Sequence, residues 1–144
     1  MEITILKVMD KDHLKIKDIL MEFGKEENKN FEKSKETFMR FKWMLEKHFF
    51  IEEKAIFNHY IVESAEENEN LMRILKEHRE ILDLIERSEE LLFDQKKLEI
   101  DELKHYILAH AKFEDEVFYP RLDEVLDVAK KQEMINRIKD IIIQ

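Results

Sequence analysis

One glycine and one proline, Gly24 and Pro120, are the only strong helix breakers in a chain of 144 residues. Such a chain folds most readily into long helices, because Gly costs a helix interior about 1 kcal/mol and Pro about 3 kcal/mol relative to Ala. Three polar stretches punctuate it instead: GKEENKN (24–30), SAEENEN (64–70) and DQKKLEID (94–101). Between them the apolar spacing predicts helical segments at about 4–23, 31–63, 70–93 and 100–119. Short connections make consecutive helices antiparallel. The expected fold class is therefore all-α, an up-down-up-down four-helix bundle over residues 1–120. Pro120 is expected to end or kink the fourth helix, since it removes a backbone donor and crowds the preceding turn. Residues 121–144 carry Leu122, Val125, Leu126, Met134, Ile135, Ile138, Ile141 and Ile142, the pattern of a C-terminal helical extension packing on the bundle. A homodimer contact through that extension is the second reading.

Charge and cysteine usage narrow the function. The chain has no cysteine, which excludes disulfides, a thiolate nucleophile and iron–sulfur ligation; any metal must be held by nitrogen and oxygen. Its formal net charge is -9, with acids and bases interleaved, so no nucleic-acid-binding face is expected. The opening MEITILKVMDKDH lacks the apolar core of a signal peptide, and no apolar run is long enough to cross a membrane. A soluble cytoplasmic protein is the expectation.

The apolar seams contain interruptions that a core does not tolerate casually. Phe38, Phe41 and Leu45 lead with three–four spacing into His48 and Glu52. The first segment reads Leu6, Met9, His13, Ile16, Leu20, Phe23; the third Leu71, Ile74, His78, Ile81 or Leu82, Ile85; the fourth Leu103, Ile107, His110, Glu114, Val117. The halves also repeat. DHLKIKDIL (12–20) matches EHREILDLI (77–85), and HFFIEEKAIFN (48–58) matches HAKFEDEVFYP (110–120). Each half is thus a helix hairpin with His on its first helix and His-x3-Glu on its second.

A lone His and Glu four apart on a Glu-rich helix is usually only a weak surface pair. Six such groups at one depth are another matter: His13, His48, Glu52, His78, His110 and Glu114. Unpartnered buried polar groups cost roughly 1–3 kcal/mol each, against a typical domain stability of about 5–15 kcal/mol. A bound cation resolves the conflict by taking imidazole nitrogens and carboxylate oxygens as ligands. Iron, manganese and zinc all suit that donor set. The simplest assignment gives one ion His13 and His48 and the other His78 and His110, with Glu52 and Glu114 bridging. Six residues do not fill two octahedral shells, so open positions remain.

The order His, His-x3-Glu, His, His-x3-Glu over about residues 5–120 resembles the hemerythrin family, in its branch called the HHE cation-binding domain. The resemblance implies a non-heme di-iron centre, two iron ions ligated by those six residues. Members of the family carry or sense oxygen, sense iron, or answer nitrosative and oxidative stress. The expected function is accordingly to bind or sense oxygen, nitric oxide or iron, with small ligands as partners. A di-iron oxidase or peroxidase, or an iron donor in stress response, is the alternative, and no separate catalytic residue or organic cofactor is expected. The oxygen carriers have a fifth histidine, four from the one on the third helix, and an aspartate five after the last histidine. Here Ile74 and Leu82 flank His78, and Glu114 stands four after His110 with Asp115 at five.

Neighbouring residues receive lesser roles. His59, two turns beyond Glu52, is read as an end-of-bundle structural or outer residue, and His105 as solvent-exposed. Glu53 and Asp115 are read as surface acids, with ligation or hydrogen bonding to the ligand histidines as the alternative. Met44, Leu45, Tyr106 and Ile107, facing Ile16, Leu20, Leu82 and Ile85, are expected to wall a small apolar position beside the metal.

Overall fold

A computed structural model of the chain describes residues 3–27, 29–98 and 100–143. The described residues are almost wholly helical and contain no strand. Helix α1 spans Ile5–Glu26, α2 Phe31–Ile51, α3 Ala65–Phe93 and α4 Ile100–Phe113. Side chains close three of the N-termini. Thr4, Asn30 and Ser64 accept hydrogen bonds from the amides of Lys7, Lys33 and Glu67, each satisfying a donor that the first helical turn leaves free. At the end of α3, Gln95 adopts φ 56°, the left-handed conformation that commonly terminates a helix.

The four helices pack in a ring, α1 on α2, α2 on α3, α3 on α4 and α4 on α1. This is the helical bundle that the seams predict. Two features depart from straight helices. Directly after α2 the backbone widens into a π-helical turn, Glu52–Ile56, then tightens into a 3-10 turn, Phe57–His59. Directly after α4 a second π turn, Glu114–Phe118, leads into α5, Tyr119–Val125. The second segment therefore leaves α-geometry well before residue 63. Pro120 does not end the fourth; it sits in the first turn of α5, where its missing N–H is harmless. Proline is not the cause of the wide turn, since the equivalent turn at Glu52 has none.

Each π turn inserts one residue into the helical phase. Val117, in phase for a straight α-helix, is exposed, while Phe118 and Tyr119 are buried in its place. Helix α6, Val128–Ile143, lays Met134, Ile135 and Ile138 against the first π turn, α1 and α2. The α5 segment is tied to α1 by Asp123, whose carboxylate accepts from the amides of Ile5 and Leu6 at 2.8 and 3.1 Å.

The apolar interior divides into two clusters. One, around Phe23, Phe38, Phe41 and Leu103, fills one end of the bundle. The other, around Met9, Ile56, Ile74 and Tyr119, fills the end under α6. His13, His48, His78 and His110 interrupt the four helices between these clusters, so a buried polar layer crosses the core.

Candidate metal centre

All six seam-breaking residues meet in that layer, and all are buried, Glu52 and Glu114 completely. The Nε2 atoms of His13 and His48 lie 3.1 Å apart. Glu114 Oε1 stands 3.0 Å from His13 Nε2, 3.8 Å from His48 Nε2 and 3.4 Å from His110 Nε2. Glu52 Oε1 stands 3.2 Å from the Nε2 atoms of both His48 and His78. Potential ligand atoms fall into one group of Glu52, His78, His110 and Glu114, another of His13, His48 and Glu114, and a third of Asp10, His13 and Asp115, the atoms of each within 4.8 Å of one another. Glu114 Oε1 therefore faces imidazoles of both halves, and Glu114 belongs to both of the first two groups, the placement that bridging requires. Glu52, although close to His48, groups only with His78, His110 and Glu114.

Four atoms of this layer, Glu52 Oε1, Glu114 Oε2, His78 Nε2 and His110 Nε2, are fully buried and make no hydrogen bond of good geometry, although all but Glu114 Oε2 stand 3.2–3.4 Å from another member of the layer. Buried polar atoms without partners are rare because each costs a desolvation penalty. Here all four are donors to a prospective cation, and the nitrogen–oxygen set fits iron, manganese or zinc. The residues present fit a metal.

The other ring nitrogens are held by acids. Nδ1 of His13 meets Asp115 at 2.9 Å, His48 meets Asp12 at 2.6 Å, His110 meets Glu77 at 2.7 Å, and His78 meets Glu53 at 3.4 Å. A carboxylate at Nδ1 fixes the proton there and turns the Nε2 lone pair inward, the arrangement that orients metal-ligating histidines. The acids cross between helices: Asp12 precedes His13 in sequence yet serves His48, and Glu77 precedes His78 yet serves His110. Sequence reasoning missed these two roles, although the acid-His pair at the start of each repeat was their visible signal. For Glu53 and Asp115 the first expectation is a surface acid and the alternative a hydrogen bond to a ligand histidine; the alternative is what the contacts to His78 and His13 show. Asp115, five after His110, is not in the centre, where Glu114 stands.

Electrostatics follow from this enclosure. Burial disfavours the His13 imidazolium, but hydrogen bonds to Asp115 and Glu114 outweigh it and raise its pKa from 6.5 to about 9. Burial likewise opposes charge on His48 and His110; the charges of Glu52 and Glu114 beside them, with Asp12 and Glu77, push both above the ordinary value. Burial also opposes ionisation of Glu52, yet the neighbouring His48 charge holds it well below the usual carboxylate range. Without metal, the His13, His48 and His110 imidazoles thus favour the protonated form beside these carboxylates, and an incoming cation must displace those protons.

Aromatic rings complete the enclosure. Phe49 lies flat on His78, with ring centres 3.8 Å apart, and Phe57 stacks on the same imidazole at 5.9 Å. Tyr119, buried, stacks on His13 at 6.0 Å and donates its hydroxyl to Glu52 Oε2. A cavity of about 20 Å3 opens against His13, His48 and His110, with Ile16, Leu45 and Ala111 among its walls. Of the expected walls, Ile16, Leu45 and Ile107 line it. Tyr106 and Leu82 are exposed and face separate surface grooves. His105 is exposed, as its phase predicts, and His59 is exposed at the end of the 3-10 turn, outside the cluster of ligand atoms.

Fold and site together define a class: a helical bundle whose core is crossed by a histidine–carboxylate, cation-binding layer. The model of the hemerythrin HHE cation-binding domain matches residues 4–122. The chain belongs to that family. No curated protein and no solved structure gave a significant match. Among the described residues, no helix is long and apolar enough to cross a membrane.

Proposed function

We propose that the six-residue layer holds two iron ions and binds a small ligand, such as oxygen or nitric oxide, at a position the protein leaves open. The observation that carries this is the set of four orphaned, fully buried donor atoms. They accompany two overlapping ligand groups that share Glu114. One ion takes His13, His48 and Glu114, the other His78, His110, Glu52 and Glu114. Bound iron supplies Lewis acidity and one-electron redox chemistry at this depth.

The chain's own residues supply the rest. Asp12, Glu53, Glu77 and Asp115 hold the imidazoles in place. Ile16, Leu45 and Ala111 keep bulk water from the cavity beside His13 and His48. A water needs about 10–15 Å3 on the same measure, so a cavity of about 20 Å3 admits a molecule of two or three atoms and no bulky substrate. The apolar walls favour an uncharged one.

A second reading, a di-iron oxidase or peroxidase, draws support from Tyr119, an oxidisable phenol hydrogen-bonded to Glu52. Anaerobic reconstitution with ferrous iron tests both. We expect about two irons per chain, in line with a two-ion site, and a visible spectrum perturbed by stoichiometric nitric oxide or, after oxidation, azide. Rapid steady-state peroxide turnover would favour the second reading. A protein that takes up iron, manganese and zinc only below about 0.2 per chain refutes the metal site itself.

A further inference from the structure

The internal repeat is broken where it touches the two glutamates. His48, Glu52 and Phe57 in the first half correspond to His110, Glu114 and Tyr119 in the second. The two rings take equivalent places, Phe57 stacked on His78 at 5.9 Å and 29°, Tyr119 on His13 at 6.0 Å and 28°. Only one of them carries a hydroxyl. That hydroxyl donates to Glu52 Oε2, while the corresponding atom of Glu114, Oε2, is buried with no partner. Glu52 therefore has one oxygen held by a phenol, whereas the oxygens of Glu114 meet only prospective ligand imidazoles or, for Oε2, no partner at all.

The consequence lies on the His13 side. Tyr119 stacks on His13, so the oxygen it engages is withheld from the His13 and His48 position. That position keeps three ligand residues, His13, His48 and Glu114, whereas the other has four, Glu52, His78, His110 and Glu114. We propose that Tyr119 is a positioning residue that makes the two cation positions unequal, so that His78 and His110 hold the first ion tightly and His13 and His48 hold the second loosely and exchangeably. A centre built this way reports cation supply: one ion stays resident while the other follows its free concentration. The inference rests on the reading of the layer as a two-ion site.

Calorimetric titration of the metal-free full chain with Zn2+ tests it. We expect two steps with dissociation constants further apart than two equal sites allow, the weaker removed by His13→Ala and the tighter by His78→Ala. A hydrogen bond to a charged group is worth a factor of about ten to a hundred in an equilibrium constant, so Tyr119→Phe should narrow the gap about tenfold or more. Phe57→Tyr/Tyr119→Phe moves the hydroxyl to Glu114 and should reopen the gap with the order exchanged, His13→Ala now removing the tighter step. A purely structural role for Tyr119 would change the melting temperature without exchanging that order. Equal steps in the unaltered chain, or unchanged constants in Tyr119→Phe, overturn the proposal while leaving the two-ion site intact. If Tyr119→Phe does not fold, the order of loss in His13→Ala and His78→Ala decides alone. Uptake of no zinc at all overturns the two-ion reading itself.

Discussion

Raising the pH should destabilise the metal-free protein while strengthening its response to metal. The His13 imidazolium is stabilised in the fold, its pKa moving from 6.5 to about 9. A value raised in the folded state contributes stability that is fully present below the unfolded pKa and is lost as pH rises through the folded one. At about 1.4 kcal/mol per unit, His13 alone accounts for roughly 3 kcal/mol between pH 6.5 and 9. His48 and His110 shift in the same direction and add to the loss. Glu52 is shifted oppositely, so its contribution persists through this window and fades only in acid, below the ordinary carboxylate range. For a chain of this size, a loss of this order corresponds to a melting-point drop of roughly 10 °C. Metal requires the same nitrogens unprotonated, so its apparent affinity should rise with pH as protons cease to compete. Paired calorimetric melts of chelator-treated and zinc-loaded protein between about pH 6 and pH 9.5 measure both effects. A metal-free melting point that stays level or climbs, or a zinc-induced shift that does not grow with pH, would refute the imidazolium–carboxylate account.

Three further outcomes follow from particular contacts. Ala111→Phe should fill the cavity beside His13 and His48, leaving iron content unchanged while weakening azide and nitric oxide titrations of the loaded protein by about tenfold or more. Asp12→Asn and Glu77→Gln should each weaken metal binding about 10- to 100-fold, Glu53→Gln should act less because its contact is 3.4 Å, and exposed His105→Ala should leave affinity unchanged; equilibrium competition with a chelator ranks them. Gln95→Gly should stabilise the chain by about 0.5–1 kcal/mol in urea unfolding, since glycine enters the left-handed conformation without a side-chain penalty.

The bundle and the members of the polar layer were legible in the chain because both depend on local periodicity. His13, His48, His78 and His110 each interrupt an α-helical seam, and a three–four rule finds them without tertiary information. What the rule did not carry was the change of phase at Glu52 and Glu114. There the helix widens to a π turn, so Val117 swings to solvent and Phe118 and Tyr119 turn inward. A straight-helix extrapolation consequently missed Tyr119, whose hydroxyl donates to Glu52 in the polar layer. Tyr106 failed for a related reason: it lies four residues before His110, and the buried position is Ile107, three before. The crossing of Asp12 to His48 and Glu77 to His110 depends on how adjacent helices are rotated, which no single helix records. The cavity at Ala111 was hidden too, because it is a missing side chain seen only against Phe49 in the other half.

Crystals of the iron-loaded protein, measured at the iron absorption edge, test the central claim most directly. Anomalous difference maps should show two peaks about 3.5–4 Å apart in the layer between the apolar clusters, one against His13 and His48, the other against His78 and His110. A single peak, or peaks confined to surface acids such as Asp10, would contradict it.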